Sequence, residues 1–211
     1  MQLPKQDHYE IARDAALSRL QRGMERDRLG VLGARLAEDG AIVDLQALCW
    51  QLRVRTQPFS MHLLPGGQEV SLPWQILALD YLAAETPIAP TGFVSFADLV
   101  AGRSYLPAFQ SRVTDRLSHT VGRDGAAFRD AVERLGATPV EGDPVRCILR
   151  FFPLVEFQVV RYEGDEEFAP SCNVLFSDNV LSILSLEDGV VAAERMVAAL
   201  EGKTPAARKG S

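Results

Sequence analysis

The residues with the clearest chemical potential lie in one stretch, YEGDEEFAPSCNVLFSDN, residues 162–179. Asp165, Glu166 and Glu167 are consecutive, and Asp178 follows a short apolar run. In an extended segment only alternate residues share a side, whereas in a turn all three neighbouring carboxylates could converge. Converging carboxylates suit a hard cation such as Mg²⁺ or Ca²⁺, or the amine of a ligand, and a close pair can serve as a proton donor.

The competing interpretation of this acidic stretch is a solvated turn, and the sequence alone favours a turn over a site. The charges would then only keep the ends of two strands in water, and the D-x-D-x-D-G spacing of a calcium loop does not occur. Phe168 and Phe176 argue in the other direction, because these rings interleave with the acids and would tether the loop to a core. Cys172 is the only one of the three cysteines that lies among polar residues.

If this stretch is a site, we expect a pocket between a sheet and helices, with the acids as polar anchors and aromatic rings as walls. No catalytic residue, metal-ligand set or cofactor can be named. The sequence lacks a nucleophile elbow, a phosphate-binding loop, a dinucleotide fingerprint and a paired-histidine zinc motif. The predicted ligand-binding residues are Tyr162, Asp165, Glu166, Glu167, Phe168, Cys172, Asp178 and Phe96.

The elements that must position the acidic stretch are the best-defined ones in the sequence. VRCILRFF and VEFQVVRY, residues 145–152 and 155–162, flank Pro153 and alternate in the manner of two strands joined by a tight turn. NVLF predicts a short strand inside the acidic stretch. Ser185 and Asp188 then form a capping box that begins a final amphipathic helix.

The first two thirds of the chain mix helical patterns with hairpin-like strands. WQLRVRT, residues 50–56, alternates as a half-buried strand does. Apolar periodicity predicts helices near the N-terminus and over residues 73–85, 105–120 and 124–137. FVSFADLVAGRSY, residues 93–105, is interpreted as a connecting loop.

The strands occur in runs and do not alternate strictly with helices. This order predicts an α+β fold, with a mainly antiparallel sheet packed with amphipathic helices, in preference to a doubly wound fold. We expect a single domain over residues 1–202 and a flexible C-terminal tail over residues 203–211, because the last segment is polar, basic and contains proline.

Composition restricts the class of protein. The net charge of −6 argues against nucleic acid as a partner, since phosphates require a basic face. No basic-then-apolar N-terminal pattern and no long apolar run occurs, so we expect no membrane partner and a cytoplasmic protein. Cys49, Cys147 and Cys172 are odd in number and widely spaced, which argues against a disulfide framework.

Three blocks of sequence carry a resemblance to a known family. They are VSLPWQILALDYL, GFVSFADLVAGRSYLPAF and FFPLVEFQVVRYEGDEEFAPSCNVLFSDNVLSILSLED. In this order they resemble the bacterial and archaeal family called domain of unknown function 3786, over about Leu45 to Leu200. The GDEEF block of that family corresponds here to Gly164–Phe168. The resemblance implies that the protein comes from an anaerobic microbe, and that some of its relatives carry an iron–sulfur segment beside this domain. The three scattered cysteines of this chain cannot form such a cluster alone.

Three functional hypotheses follow, in order of preference. The first is a small-molecule or cofactor-binding domain, which the resemblance associates with anaerobic redox or one-carbon metabolism. The second is an interaction module that acts with an iron–sulfur or cofactor-dependent protein partner, and it requires a flat apolar patch. The third is an enzyme that uses the acidic loop, residues 165–178, for metal or acid–base chemistry, and it requires a bound metal or a buried carboxyl group with a raised pKa.

Overall fold

The computed structural model describes residues 4–207, with side chains from residue 9 onward. The chain forms two compact units: unit 1 ends at Pro87 and resumes at Pro205, and unit 2 comprises Ile88–Thr204. Each unit contains helices and an antiparallel sheet, which confirms the predicted α+β class. No helix in the described part of the chain is long and apolar enough to cross a membrane.

The predicted single domain, residues 1–202, and its flexible tail, residues 203–211, stay predictions. The first three residues of that domain and the last four of the tail lie outside the described residues. Before those four, the backbone groups of Pro205 and Ala207 form hydrogen bonds of 2.8 and 2.7 Å with segment 69–71. This part of the tail therefore belongs to unit 1.

Unit 1 is a four-stranded antiparallel sheet with helices. The strands are hydrogen bonded in chain order, β1 to β4, as expected for consecutive hairpins. In β3 the alternation predicted from the sequence is confirmed, because Leu52 and Val54 are buried while Arg53 and Arg55 are exposed. Its elements are α1 (Pro4–Arg22), α2 (Arg26–Val31), β1 (Arg35–Leu36), β2 (Ile42–Ala47), β3 (Trp50–Thr56), β4 (Phe59–Leu64) and α3 (Leu72–Leu82).

Unit 2 contains a five-stranded antiparallel sheet in the order β5-β9-β8-β7-β6. The helix predicted over residues 105–120 begins earlier, at Gly102, and is interrupted by a π-helical segment at Gln110–Thr114. The elements are β5 (Phe93–Ser95), α4 (Gly102–Phe109), α5 (Asp115–His119), α6 (Gly125–Arg134), β6 (Thr138–Val140), β7 (Val145–Phe152), β8 (Val155–Tyr162), β9 (Ser171–Ser177) and α7 (Leu186–Leu200).

The C-terminal predictions are confirmed. β7 and β8 form the predicted hairpin, and β9 contains the predicted short strand. The amide of Asp188 donates to Ser185 Oγ at 3.1 Å, so Ser185 caps α7 at the predicted position.

One loop prediction is wrong. Residues 93–105 do not form a simple connection, because Phe93–Ser95 is a strand that pairs with β9 and Gly102 begins a helix. A three-residue strand has too few alternating positions to show a period in the sequence, so its pairing with β9 defines it.

The centre of unit 2 is a cluster of phenylalanine rings. Phe96 stacks on Phe109 with 4.3 Å between ring centroids, and Phe157 meets Phe176 edge to face at 5.1 Å. These four rings are buried. Because β9 contributes Phe176 to this core, the strand that follows the acidic loop is held firmly in the sheet.

Candidate functional site

The acidic loop between β8 and β9 folds as a compact turn. Asp165 Oδ1 accepts hydrogen bonds from the amides of Phe168 at 2.7 Å and Glu167 at 2.8 Å. The amide of Asp165 donates to the carbonyl of Phe168 at 2.9 Å. The two amide donors hold the pKa of the Asp165 carboxyl group below its usual value. The first of the three consecutive acids therefore orders the loop itself.

The remaining acids of the turn are available for other contacts. Glu166 and Glu167 are exposed, and neither carboxylate has a hydrogen bond or ion pair within the described residues. Phe168 and Phe176 were both predicted to tether the loop to the core. Phe176 is buried, but Phe168 is 69 % exposed and does not contact the core in this way. Tyr162, the last residue of β8, is 45 % exposed.

This turn forms one side of an open groove of about 460 Å³ in unit 2. The first turn of α6 and the end of β8 form the other sides. Asp124 caps α6, since its Oδ1 accepts from the amide of Ala127 at 2.7 Å, and this bond lowers the pKa of the Asp124 carboxyl group. The groove is lined by Arg123, Asp124, Gly125, Arg161 and residues 163–170.

Arg161 is the buried residue of the groove. Its side chain is only 2 % exposed, although it lies on β8 among apolar neighbours. Nε donates to the carbonyl oxygen of Gly122 at 2.8 Å, and Nη1 donates to the carboxylate of Glu163 in an ion pair. A buried guanidinium is costly unless its donors are paired, so these contacts fix the orientation of Arg161 and position Glu163 at the groove.

Glycine permits the close packing of backbone around this arginine. A Cβ atom at Gly125 would lie 3.2 Å from Arg161 Nη1 and 3.3 Å from Glu163 Oε1. A Cβ atom at Gly122 would overlap Cys172 Sγ and stand 2.8 Å from the carbonyl oxygen of Leu117. Gly122 therefore permits close packing against Cys172 of β9 and the backbone of Leu117, and Gly125 leaves room for the ion pair of Arg161 with Glu163.

Cys172 lies beneath the groove and does not line it. The side chain is 7 % exposed, and burial raises the pKa of its thiol to about 11. Its backbone amide donates to Ser118 Oγ at 2.8 Å. A thiol with this pKa is almost entirely protonated at neutral pH, so the arrangement does not suit a cysteine nucleophile.

Asp178 lies at the other end of β9 from the acidic turn. A seven-residue strand separates the two, which corresponds to roughly 20 Å. Asp178 accepts from the hydroxyl and the amide of Thr91, the latter at 3.0 Å, and these bonds lower the pKa of its carboxyl group. The structure therefore does not bring Asp178 together with Asp165, Glu166 and Glu167.

Phe96 is also remote from the turn. It is 2 % exposed and packs in the phenylalanine core through Phe109 and Phe176. Of the predicted ligand-binding residues, the groove thus contains Asp165, Glu166, Glu167 and Phe168, while Tyr162 is at the adjoining end of β8. Cys172, Asp178 and Phe96 lie outside its lining.

Sequence reasoning missed Arg161 and the start of α6. A signal was present for Arg161, because it shares the inward register of Val155, Phe157 and Val159 on β8. A charged residue in a buried register indicates a partnered group inside the protein. Arg123, Asp124 and Gly125 gave no such signal, since tertiary packing alone brings α6 to this loop.

The lining of the groove is rich in charged side chains. Among the described residues, no group of three or more histidine, cysteine or acidic side chains is placed to hold a metal ion. In the same part of the chain, every resolved shift of a carboxyl pKa is downward, as at Asp165 and Asp178. A groove that combines five carboxylates with two guanidinium groups favours a polar, positively charged ligand.

Comparisons with known proteins identify the family. A family model described as "Domain of unknown function (DUF3786)" matches residues 27–199, which include the whole lining of the groove. No curated protein and no solved structure gives a significant match. The match covers well over half of the chain, and it agrees with the resemblance carried by the three sequence blocks. The chain therefore belongs to the DUF3786 family, a domain of unknown function.

Proposed function

We propose that this chain is a small-molecule-binding domain whose groove takes a ligand bearing an ammonium or guanidinium group. One observation carries the proposal: the carboxylates of Glu166 and Glu167 line an ordered groove, and neither has a hydrogen-bond or ion-pair partner within the described chain. The other acids of the lining have internal roles, since Asp124 caps α6, Glu163 pairs with Arg161 and Asp165 closes the turn.

The size of the groove supports a ligand of low molecular mass. Its volume of about 460 Å³ falls within the range of roughly 300–1,000 Å³ that small-molecule sites occupy. Phe168 lines the groove and is mostly exposed, so its ring is available to the cationic group of a ligand. The ordered turn supports binding too, because a preformed site loses less entropy when the ligand arrives.

The other hypotheses receive less support. The enzyme hypothesis required a buried carboxyl group with a raised pKa or a metal-ligand set, and the described residues supply neither. The interaction module required a flat apolar patch, whereas this groove is concave and its lining is mostly charged. The association with anaerobic redox or one-carbon metabolism stays a prediction of the resemblance, and the proposal does not depend on it.

Calorimetric titration with spermidine and, separately, with L-arginine tests the proposal. We expect saturable binding of at least one cation with one site per chain. The double substitution Glu166→Gln/Glu167→Gln should weaken it by about five- to tenfold, since exposed ion pairs each contribute roughly 0.2–1 kcal/mol. Native mass spectrometry of protein purified without chelator should in addition reveal any retained ligand by its mass.

The matched control is Asp130→Asn/Glu133→Gln on α6. It removes the same charge from exposed positions of unit 2 outside the groove lining. We expect this variant to bind as the wild type does. The proposal is wrong if neither cation binds saturably, or if the two double variants weaken binding equally, which would indicate nonspecific attraction to net charge.

A further inference from the structure

Unit 1 contains a second concavity, with the opposite charge. It is a cavity of about 170 Å³ lined by Arg19, Arg22, Gly23, Arg28, Ala83 and Glu85. Three guanidinium groups thus face a small space that has a single carboxylate in its lining. The cavity shares no lining residue with the acidic groove, and three of its six lining residues precede the residues matched by the family model.

Arg28 is the central residue of the cavity. Its Nε donates to the carbonyl oxygen of Gly23 at 2.7 Å, and its Nη1 donates to that of Ala84 at 2.9 Å. These carbonyls lie just beyond the C-termini of α1 and α3, where helices leave acceptors without internal partners. The third nitrogen, Nη2, is buried and has no hydrogen-bond partner among the described residues.

The unpaired Nη2 calls for an acceptor. A buried donor without a partner is unfavourable, and it is a rare feature in folded proteins. Burial also lowers the pKa of Arg28, while the carboxylates of Glu25 and Glu85 oppose that shift. An anion in the cavity would satisfy Nη2 and favour the charged guanidinium at the same time.

The two other arginines add positive charge at the same place. Arg22 is exposed and forms no ion pair or hydrogen bond within the described chain. Arg19 is paired with Asp80, which leaves part of its guanidinium group for another acceptor. Guanidinium groups present planar pairs of donors that match the oxygens of phosphate and carboxylate.

Gly23 creates the space in which Arg28 lies. A Cβ atom at this position would stand 2.9 Å from both Nε and Nη2 of Arg28. Gly23 does not have a positive φ, so an alanine here would introduce no backbone strain. Substitution of this residue therefore changes the position of the guanidinium with little other effect.

We propose that this cavity binds a small tetrahedral oxyanion, either free phosphate or the phosphate of a monoester, through Arg28 and Arg22. The volume of the cavity limits the size of the ligand group that it can enclose. At roughly 30 Å³ per water molecule the cavity holds about five or six waters, which is enough for a phosphate group.

Calorimetric titrations of the full chain with inorganic phosphate and with glycerol 1-phosphate test this inference at low ionic strength. We expect saturable binding with one site per chain. Arg22→Gln should weaken it by about fivefold. Gly23→Ala should weaken it by about tenfold, because the new methyl group displaces the guanidinium of Arg28. Binding of both compounds indicates a site for the free anion, and binding of the ester alone indicates a phosphorylated ligand.

The controls separate a site from general charge. Arg55→Gln removes the same charge from an exposed strand position of unit 1, and Gly30→Ala adds a methyl group where no atom lies within 4 Å. Both variants should bind as the wild type does. If neither compound binds saturably, or if Arg55→Gln weakens binding as much as Arg22→Gln, the inference is wrong. The outcome is independent of the cation titrations, which probe residues of unit 2.

Discussion

The acidic groove of unit 2 and the arginine cavity of unit 1 each contain an arginine with limited access to water, yet they use it differently. Arg161 donates to a carboxylate and to a carbonyl, so its charge is neutralised within the protein. Arg28 donates only to carbonyls, and among the described residues no carboxylate forms an ion pair with it, although Glu25 and Glu85 favour its charged form from a longer distance. After internal pairing, the groove retains the carboxylates of Glu166 and Glu167 beside Arg123. The cavity instead retains the guanidinium groups of Arg22 and Arg28 beside Glu85.

This comparison shows why net charge is a poor guide to ligand chemistry. The chain carries a net charge of −6, which by itself predicts that each of its concavities attracts cations. Some charged side chains are partnered within the protein by ion pairs or helix caps, and others are not. The local charge of a concavity therefore differs from the net charge of the chain. The ligand preference of each concavity must therefore be tested separately.

The largest expected effect is on stability, from the loss of Arg161. Arg161→Met should lower the free energy of unfolding by about 2–3 kcal/mol, because the buried carbonyl of Gly122 loses its donor and the ion pair with Glu163 is removed. Urea denaturation followed by far-UV circular dichroism measures this. Arg123→Met in the same groove is the control, and we expect a change within about 0.5 kcal/mol, since Arg123 is exposed.

Arg28→Met gives the matching experiment in unit 1. We expect a smaller loss of about 1 kcal/mol, because the substitution removes two hydrogen bonds but also the unpaired buried nitrogen. Tryptophan fluorescence is the suitable probe, since Trp50 and Trp74 both lie in unit 1 and the chain has no others. A loss as large as that of Arg161→Met would contradict the contrast between a satisfied and an unsatisfied guanidinium.

A third prediction concerns the packing of Gly122 beside the groove. Gly122→Ala should destabilise the protein by about 1–3 kcal/mol, because the added methyl group would overlap Cys172 Sγ and crowd the carbonyl of Leu117. Gly189→Ala on α7 is the counterpart, since its nearest atom would be at an ordinary 3.6 Å and alanine is the better helix former. Thermal unfolding should show the first variant less stable and the second slightly more stable than the wild type.

The smallest expected effect is a pH dependence of the acidic turn. Hydrogen bonds from the amides of Phe168 and Glu167 lower the pKa of Asp165 in the folded state. The carboxylate therefore stabilises the turn above the ordinary pKa of aspartate, near 4, and this contribution is lost as the pH falls through the lowered value. The protection of the Glu167 and Phe168 amides against hydrogen exchange, measured relative to the intrinsic exchange rate at each pH, should fall in that acidic window. Protection that stays unchanged there, or that is insensitive to Asp165→Asn, would contradict this account.

Local patterns were sufficient for the long elements. The alternation in β3, β7 and β8 and the capping box of α7 predicted those segments correctly, because period and capping depend only on neighbours along the chain. The acidic turn was also located correctly between two strands. The short strands β5 and β6 escaped prediction, since each has only three residues and its pairing depends on a partner distant in sequence.

The sequence by itself determined two things about this chain: a run of carboxylates between two predicted strands, and a family resemblance that the family model confirms. Only the tertiary structure decided which side chains meet. It placed Asp178 and Phe96 away from the turn and brought Arg161 and α6 to it. The reason is physical, because strand length and sheet order set distances between side chains, and the composition of a segment does not.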